Sequence, residues 1–273
     1  SLCFLFIVKK IIYFFLLTVF FSCSKEDIYL NMNSYEEGEE LSAGSLTTRI
    51  LGSNAFDQSV PGLPINEDLL FFSGNAIFKR SWVTINNQDG KNDGLGPTFN
   101  ANSCSTCHNK DGRGKPLEPG QRFSQGFLLR ISEPGENNYG GPKSVHGYGN
   151  QIQERANTGV PIEANIDVNY EYISGTFNDG EPYELRKPIY RIIDEKFGSL
   201  QGVLTSPRVG QQVIGLGLID AISEEDILIN QDEFDIDNDS IYGKANIVWN
   251  YVTNKTQVGK FGWKANEPTL LQQ

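Results

Sequence analysis

The sequence predicts a mainly α-helical protein with one inserted β-hairpin. Apolar residues recur at helical spacing after Asn66, and again between Val209 and Ile222. Between these regions, strand-forming residues flank residues 178–180 (Asn-Asp-Gly), a turn sequence typical of hairpins. The chain has 273 residues, which is enough for one large domain or two small ones.

The first 23 residues are expected to be a lipoprotein signal peptide. Lys9 and Lys10 precede an apolar run over residues 11–22, which is too short for a membrane span but matches a signal-peptide core. The small Ser22 precedes Cys23, so cleavage there and lipidation of Cys23 are predicted. An ordinary signal peptide with an incidental cysteine is the alternative. Either way the protein is expected to be exported, and the lipid would hold it in the cell envelope, on the periplasmic side or as an outer-membrane lipoprotein.

The polar residues 24–64 are expected to form a flexible tether between the lipid and the folded body. Residues 66–68 (Asn-Glu-Asp) then open an apolar run, and a capping residue followed by acids is typical of a helix start.

Residues 104–108 (Cys-Ser-Thr-Cys-His) are the attachment motif of a c-type haem. Two thiols three residues apart lie on one helical turn, where each can form a thioether, and the imidazole of His108 then becomes the proximal iron ligand. A zinc site would need further ligands, yet His146 is the only other histidine. A thioredoxin-like dithiol would need a strand–helix–strand pattern that is missing here. One covalent haem c is therefore predicted, which favours electron transfer or peroxide chemistry.

The pattern after this motif changes to β. Residues 126–131 are strand-like, as are residues 168–177 and 183–193 on either side of the hairpin turn. Ser223 and the three acids after it are expected to cap another short helix. The net charge of −11 argues against nucleic acid as a partner and allows attraction to a basic redox protein.

Five blocks of the sequence resemble the di-haem oxidoreductases, also called thiol oxidoreductases, which are related to the bacterial di-haem cytochrome c peroxidases. The blocks are residues 71–83 (FFSGNAIFKRSWV), 94–114 around the haem motif, 148–156 (YGNQIQERA), 214–222 (IGLGLIDAI) and 261–265 (FGWKA). The resemblance covers about residues 66–273. It implies a cytochrome c-like domain over residues 65–225, with a β insertion at about 122–200.

The resemblance also implies a second haem motif beyond residues 261–265, which this sequence does not contain. Residues 226–273 are therefore expected to be the start of a second cytochrome c-like domain, truncated before its haem. The full-length di-haem protein is expected to transfer electrons, from a redox protein or a small donor, and to reduce peroxide; this fragment alone is not. The alternative is a non-catalytic electron-transfer or haem-carrying cytochrome c lipoprotein.

Several side chains are candidates for the surroundings of the iron. His146 is a candidate distal ligand or acid–base group, with Tyr148 or an open position as alternatives and a surface role as the plainer explanation. Glu154 is a candidate proton relay, sharing a helix face with Gln151 if that segment is helical. Arg113 and Arg130 are candidate partners of the haem propionates, because guanidinium binds carboxylate bidentately.

The alternating acids Asp235, Asp237 and Asp239 resemble part of a calcium-binding loop. The glycine and the final glutamate of such a loop are replaced by Ser240 and Asn246. Calcium is therefore a possible second cofactor, and an acidic surface turn is the alternative.

Overall fold

The computed structural model describes residues 36–84 and 92–273. The predicted signal peptide and Cys23 lie outside these residues. The chain divides into two units, residues 1–48 and residues 49–273. In the described part of the first unit, a 3₁₀ turn spans Gly44–Leu46, and the hydroxyl of Thr47 accepts a hydrogen bond from the backbone N–H of Ala43. Residues 49–64, expected to belong to the tether, lie in the second unit.

The helices of the described residues are few, and most of them are short. They are α1 (Ile65–Lys79), α2 (Cys104–Cys107), α3 (Leu216–Asp220) and α4 (Glu224–Leu228), with a 3₁₀ turn over Asn109–Asp111. The strands are β1 (Thr98–Phe99), β2 (Phe127–Glu136), β3 (Pro142–Lys143), β4 (Arg155–Ala156), β5 (Asn165–Thr176), β6 (Pro182–Ile193), β7 (Leu204–Val209), β8 (Ile247–Asn250) and β9 (Lys255–Val258).

The prediction of a mainly α-helical fold is wrong. Of the described residues, only 15% are helical, whereas 27% lie in strands of several small sheets. Residues 148–156 are largely extended rather than helical, and Val209 ends a strand instead of starting a helix. The helical expectation rested on helically spaced apolar residues and on the resemblance to cytochrome c-like domains, but among the described residues only α1 is longer than five residues.

The core is built from strands whose buried residues alternate. Phe127, Leu129 and Ile131 of β2 are at most 3% exposed, as are Ile166 and Val168 of β5. A period of two places these side chains on one face of each strand. The other members of this core cluster include Leu117, Val145, Tyr148, Ile152, Ala164 and Leu200.

The predicted hairpin is present. Strands β5 and β6 pair antiparallel over their whole length, from Asn165 opposite Ile193 to Thr176 opposite Pro182. Gly180 has a φ of +92°, a conformation that glycine adopts without a steric penalty, and the backbone N–H of Phe177 donates to the carbonyl of Glu181 across the turn. The base of the hairpin packs on the core, while its outer half is exposed.

Both predicted helices are present, although Asn66 lies inside the first one and does not cap it, since its N-cap is Pro64. Helix α1 begins after Pro64 with Glu67 and Asp68 in its first turn, and its half-buried stripe contains Phe71 and Phe78. The hydroxyl of Ser223 accepts a hydrogen bond from the N–H of Asp226 and caps α4. Within residues 36–84 and 92–273, no helix is long and apolar enough to cross a membrane.

A three-stranded antiparallel sheet carries the candidate site. Its strand order is β3-β2-β7, and β2 pairs with β7 from Phe127 opposite Val209 to Ser132 opposite Leu204. The pairing brings the start of β2 next to the end of β7. As a result, residues about 80 positions apart in the sequence meet beside the haem motif.

Candidate functional site

The two cysteines of the haem motif lie at the ends of one helical turn. The hydroxyl of Ser103 caps this turn by accepting a hydrogen bond of 3.1 Å from the N–H of Thr106. The N–H of His108 donates to the carbonyl of Cys104 at 3.0 Å and closes the turn. Cys104 and Cys107 are free thiols, the first exposed and the second half-buried. Both are thus presented on one turn, as the motif requires.

The imidazole of His108 is oriented by a residue far away in the sequence. Its Nδ1 atom lies 2.5 Å from the backbone carbonyl oxygen of Gln211, just beyond the end of β7. A carbonyl oxygen only accepts, so Nδ1 carries the proton and donates it. This arrangement fixes the tautomer and leaves the Nε2 lone pair for a metal.

Three glycines form a close-packed cradle around the haem motif. A Cβ atom on Gly126 would lie 2.6 Å from the carbonyl oxygen of Cys107, and one on Gly114 would lie 2.8 Å from the Cα atom of Gly126. A Cβ atom on Gly210 would lie 3.3 Å from Cε1 of His108. Backbone hydrogen bonds join the three, from Gly114 to Gly210 at 2.9 Å and from Gly210 to Gly126 at 2.7 Å. The cradle therefore holds Cys107 and His108 directly against the β2–β7 sheet.

Helix α1 contacts the other side of the motif. The rings of Phe78 and His108 are 6.2 Å apart between centroids. The ammonium group of Lys79 donates to both carboxylate oxygens of Asp57, at 2.8 and 2.9 Å. This interaction, the largest of several, lowers the pKa of Asp57. Burial, followed by the charge of Asp57, raises the pKa of Asp111, so this carboxyl retains its proton more readily beside its ionised neighbour.

Glu154 is buried and Arg155 is half-buried beside this site. Glu154 is 9% exposed and its Oε1 atom has no hydrogen-bond partner, and the same is true of the Nε atom of Arg155. Burial raises the pKa of Glu154 to about 7, against the attraction of Arg155. Burial also raises the pKa of the Cys107 thiol, whereas the N–H of Gly126 and the charge of Arg155 lower it. Arg155 therefore lies close enough to influence both Glu154 and Cys107.

The other candidates near the site are placed differently. Arg130 is half-buried on β2 and forms a β-bridge with Gln151, whereas Arg113 is exposed. The chain between Gln151 and Glu154 is extended rather than helical. Residues three positions apart point to opposite sides of an extended chain, so Gln151 and Glu154 do not share a face.

His146 and His108 are not brought together. His146 is exposed and lies beside Glu133, whose pKa is lowered first by Lys143 and also by His146. Glu133 is six residues along β2 from Phe127, which corresponds to about 20 Å of extended chain.

Tyr148 is engaged inside the core. It is 6% exposed, and its hydroxyl donates to the carbonyl of Gly198 and accepts from the N–H of Phe197. Among the candidates for the iron surroundings, Glu154 is next to Arg155, whose charge acts on Cys107, and Arg130 lies on β2. His146 is exposed to solvent, and Tyr148 is buried in the core.

The acidic loop forms a cluster that differs from the predicted one. Carboxylate oxygens of Asp232, Asp235 and Asp237 lie within 4.8 Å of one another. Asp239 is not in this group, and its carboxylate instead accepts a hydrogen bond from the N–H of Ile241. Two of the three predicted ligands are therefore brought together, and Asp232 joins them.

Sequence reasoning missed Gln211, Gly210, Arg155 and Asp232. The first two approach the haem motif only through the pairing of β7 with β2, so no local pattern marks them. Arg155 directly follows the predicted Glu154 in the sequence. An arginine next to a candidate acid–base residue was the sequence feature that could have identified it. Asp232 lies three residues before the alternating acids and is separated from them by Glu233 and Phe234.

The capped Cys-x-x-Cys-His turn, the oriented His108 and the three glycines form the candidate haem site. Two free thiols on one turn and the Nε2 lone pair of His108 fit a bound haem, and the Nε atom of Arg155, which has no hydrogen-bond partner, adds a cation nearby. The sequence model of the family described as "Di-haem oxidoreductase, putative peroxidase" matches residues 37–273, and the chain belongs to this family. Family membership implies haem binding and a haem-dependent oxidoreductase. No curated protein and no solved structure matched the chain.

Proposed function

We propose that the protein is an exported c-type haem oxidoreductase that transfers electrons and, as a di-haem protein, reduces peroxide. The carrying observation is the hydrogen bond from Nδ1 of His108 to Gln211, because it prepares the histidine of the Cys-x-x-Cys-His turn for iron. Cys104 and Cys107 would hold the haem through thioethers, with His108 as the axial ligand and Arg130 near its carboxylates. Bound haem supplies a redox-active iron at which peroxide is reduced by electrons from a donor.

Glu154 is the acid–base group that the geometry supports. With a pKa of about 7, its carboxyl exchanges a proton near neutral pH, and its Oε1 atom has no competing hydrogen-bond partner. A general acid–base group contributes about 10²- to 10⁴-fold to a rate. Glu154→Gln is therefore expected to reduce peroxide turnover by a factor in this range, with exposed Glu184→Gln as the control. Equal turnover of wild type and Glu154→Gln would remove Glu154 from the mechanism.

Covalent attachment is tested by expressing the chain with a c-type haem maturation system. Haem staining after denaturing electrophoresis is expected for the wild type and not for the Cys104→Ser/Cys107→Ser double variant. Haem that separates from the wild-type chain on denaturation would contradict the c-type assignment.

A non-catalytic electron-transfer or haem-carrying protein is the second candidate. The position of His146 favours it, since this candidate acid–base group is exposed and lies beside Glu133 rather than beside His108. Two irons per chain with peroxide turnover support the enzyme. One iron per chain, with stable electron transfer and no turnover, supports the carrier.

The cell envelope is the proposed location, supported by the basic and apolar N-terminal sequence that ends at Cys23. The acidic charge of the chain favours a basic redox protein as the electron donor. Labelled palmitate is expected to enter the wild-type precursor but not Cys23→Ala. Equal labelling of both would exclude Cys23 as the lipid anchor.

Calcium is a further proposed cofactor, supported by the three converging carboxylates of Asp232, Asp235 and Asp237.

A further inference from the structure

The β2–β7 pair has two faces of different character. Phe127, Leu129 and Ile131 point into the core. The opposite face begins at Gly126 and Gly210, which are hydrogen-bonded to each other and lie against Cys107 and His108. Because alternate residues of a strand share a face, the side chains that follow on this face extend away from the haem motif.

Two arginines lie on that face. Arg130 of β2 is opposite Ser206, and Arg208 of β7 is opposite Leu128, so the two arginines are diagonal neighbours. Both are half-buried. Arg208 is two residues from Gly210, or about 7 Å along the strand, and Arg130 is about 13 Å from Gly126.

The guanidinium of Arg208 is held in place by neighbours that do not neutralise it. Its Nε atom donates to the hydroxyl of Ser206 at 3.2 Å, and its Cζ atom lies 5.4 Å from the centre of the Trp263 ring. Burial, followed by the charge of Arg130, lowers the pKa of Arg208. Two like charges therefore face each other on a partly desolvated surface.

Neither arginine has an acidic partner among the described residues. The ion pairs found there involve other cations, namely Lys79, Lys143, Arg186, Lys187, Arg191 and Lys244. A half-buried pair of cations without a carboxylate is unfavourable unless an anion joins it. The charge that this site needs is negative, and a carboxylate is one of the anions that bind the planar guanidinium through two hydrogen bonds.

We propose that Arg208, together with Arg130, binds a propionate carboxylate of the haem. The inference rests on the proposed haem attachment at Cys104 and Cys107. The vinyl groups that react with the cysteines and the two propionates lie on opposite edges of a porphyrin. A face that starts at the cysteines and carries cations further along therefore matches the porphyrin in both position and charge. In this proposal Arg208 is a cofactor-binding residue. The pairing of β7 with β2, rather than a nearby sequence motif, brings it to the face of the sheet that carries the candidate haem site.

The test uses the haem-loaded chain and three variants. Arg208→Gln removes the charge, Arg208→Lys keeps it without the bidentate geometry, and Arg191→Gln is the control, because Arg191 is exposed and paired with Asp167 on the hairpin. Resonance Raman spectra report the propionate bending mode. The reduction potential measured against pH reports propionate ionisation.

Arg208→Gln is expected to shift the propionate bending mode and to move the pH-dependent step of the potential upward by about 1 to 3 pH units, since a carboxylate loses its cation. Arg208→Lys is expected to give an intermediate shift, and Arg191→Gln none. A bending mode and a pH step unchanged in haem-loaded Arg208→Gln would overturn the proposal.

Haem loading separates this proposal from the function on which it depends. A wild type without covalent haem contradicts both. If Arg208→Gln does not accumulate with haem, the Arg208→Lys variant tests the proposal instead. An unchanged propionate mode in Arg208→Lys overturns propionate binding by Arg208, and a shifted mode supports it. A lower melting temperature with unchanged spectra would assign Arg208 a packing role against Trp263 instead.

Discussion

The Nδ1 atom of His108 lies 2.5 Å from the carbonyl oxygen of Gln211, a residue 103 positions later in the chain. The ring is therefore oriented by the main chain rather than by a side chain that a substitution could remove. Gly210 makes this approach possible, because a Cβ atom there would lie 3.3 Å from the same ring. The orientation of the histidine consequently depends on the pairing of β2 with β7.

The glycine cradle predicts a large effect of Gly126→Ala. The new Cβ atom would lie 2.6 Å from the carbonyl oxygen of Cys107, at a φ of +77° that alanine rarely adopts. Strain of about 1 to 3 kcal/mol is expected from the backbone alone, and the clash adds to it. Gly149→Ala is the matched control, because its φ is +75° and nothing lies within 4 Å. Urea unfolding is expected to show a clearly larger loss for Gly126→Ala. Equal losses for the two variants would mean that the motif is not held by close packing.

The raised pKa of Glu154 is expected to lower the stability of the protein as the pH rises from about 4.5 to about 7. Its folded-state pKa of about 7 is above the ordinary value of 4.5, so between these values the folded protein binds more protons than the unfolded chain. The loss amounts to about 3 kcal/mol and is complete above pH 7. Glu154→Gln is expected to flatten this part of the curve, measured by urea unfolding at several pH values. The exposed Glu184→Gln is expected to leave the curve unchanged, and a slope that persists in Glu154→Gln would assign it to other groups.

The ion pair between Lys79 of α1 and Asp57 is expected to contribute modestly to the free energy of unfolding. The lysine side chain is 42% exposed and that of Asp57 19%, so solvent screening limits the loss in Lys79→Met to about 0.5 to 1 kcal/mol. The pKa of Asp57 is lowered, so this stability is present above the ordinary aspartate value and disappears as the pH falls. Lys187→Met is the control, because its pair with Glu171 is 3.5 Å long and more exposed. A double-mutant cycle with Asp57→Asn that gives no coupling energy would contradict the prediction.

The acidic loop predicts that calcium raises the melting temperature. Binding to the folded state alone stabilises it in proportion to the logarithm of the free calcium concentration. Asp237→Asn is expected to abolish the shift, since its carboxylate belongs to the converging group. Asp239→Asn is expected to retain it, because Asp239 bonds to the Ile241 N–H instead. A melting temperature insensitive to millimolar calcium, measured by calorimetry, would remove the site.

The features that the sequence predicted correctly are local ones. The helical turn that carries Cys104 and Cys107 is four residues long, the hairpin turn depends on Asp179 and Gly180, and the cap of α4 depends on Ser223. Each is determined by neighbouring residues, so no knowledge of distant contacts is required.

The features that the sequence did not predict depend on pairing or on backbone direction. Arg208 reaches the haem-motif face only through the register of β7 against β2. In the acidic loop, the positive φ values of Asp235, Asn238 and Ser240 turn the chain, so strict alternation no longer places Asp239 with Asp235 and Asp237. The helical fold class was wrong because the helical spacing between Val209 and Ile222 corresponds to the end of β7 and only the short helix α3, although residues 126–131 already showed a strand-like period.

The long separation between His108 and Gln211 sets an order of events during synthesis. Both cysteines and the histidine have been made by residue 108, whereas the carbonyl that orients the histidine follows 103 residues later. At roughly 5 to 20 residues per second, translation covers this distance in about 5 to 20 s. The two thiols are therefore synthesised well before β7 can pair with β2. The proposed covalent attachment at the cysteines and the final orientation of the ring would therefore be separable stages of maturation, because the first needs only the short motif and the second needs the paired strands β2 and β7.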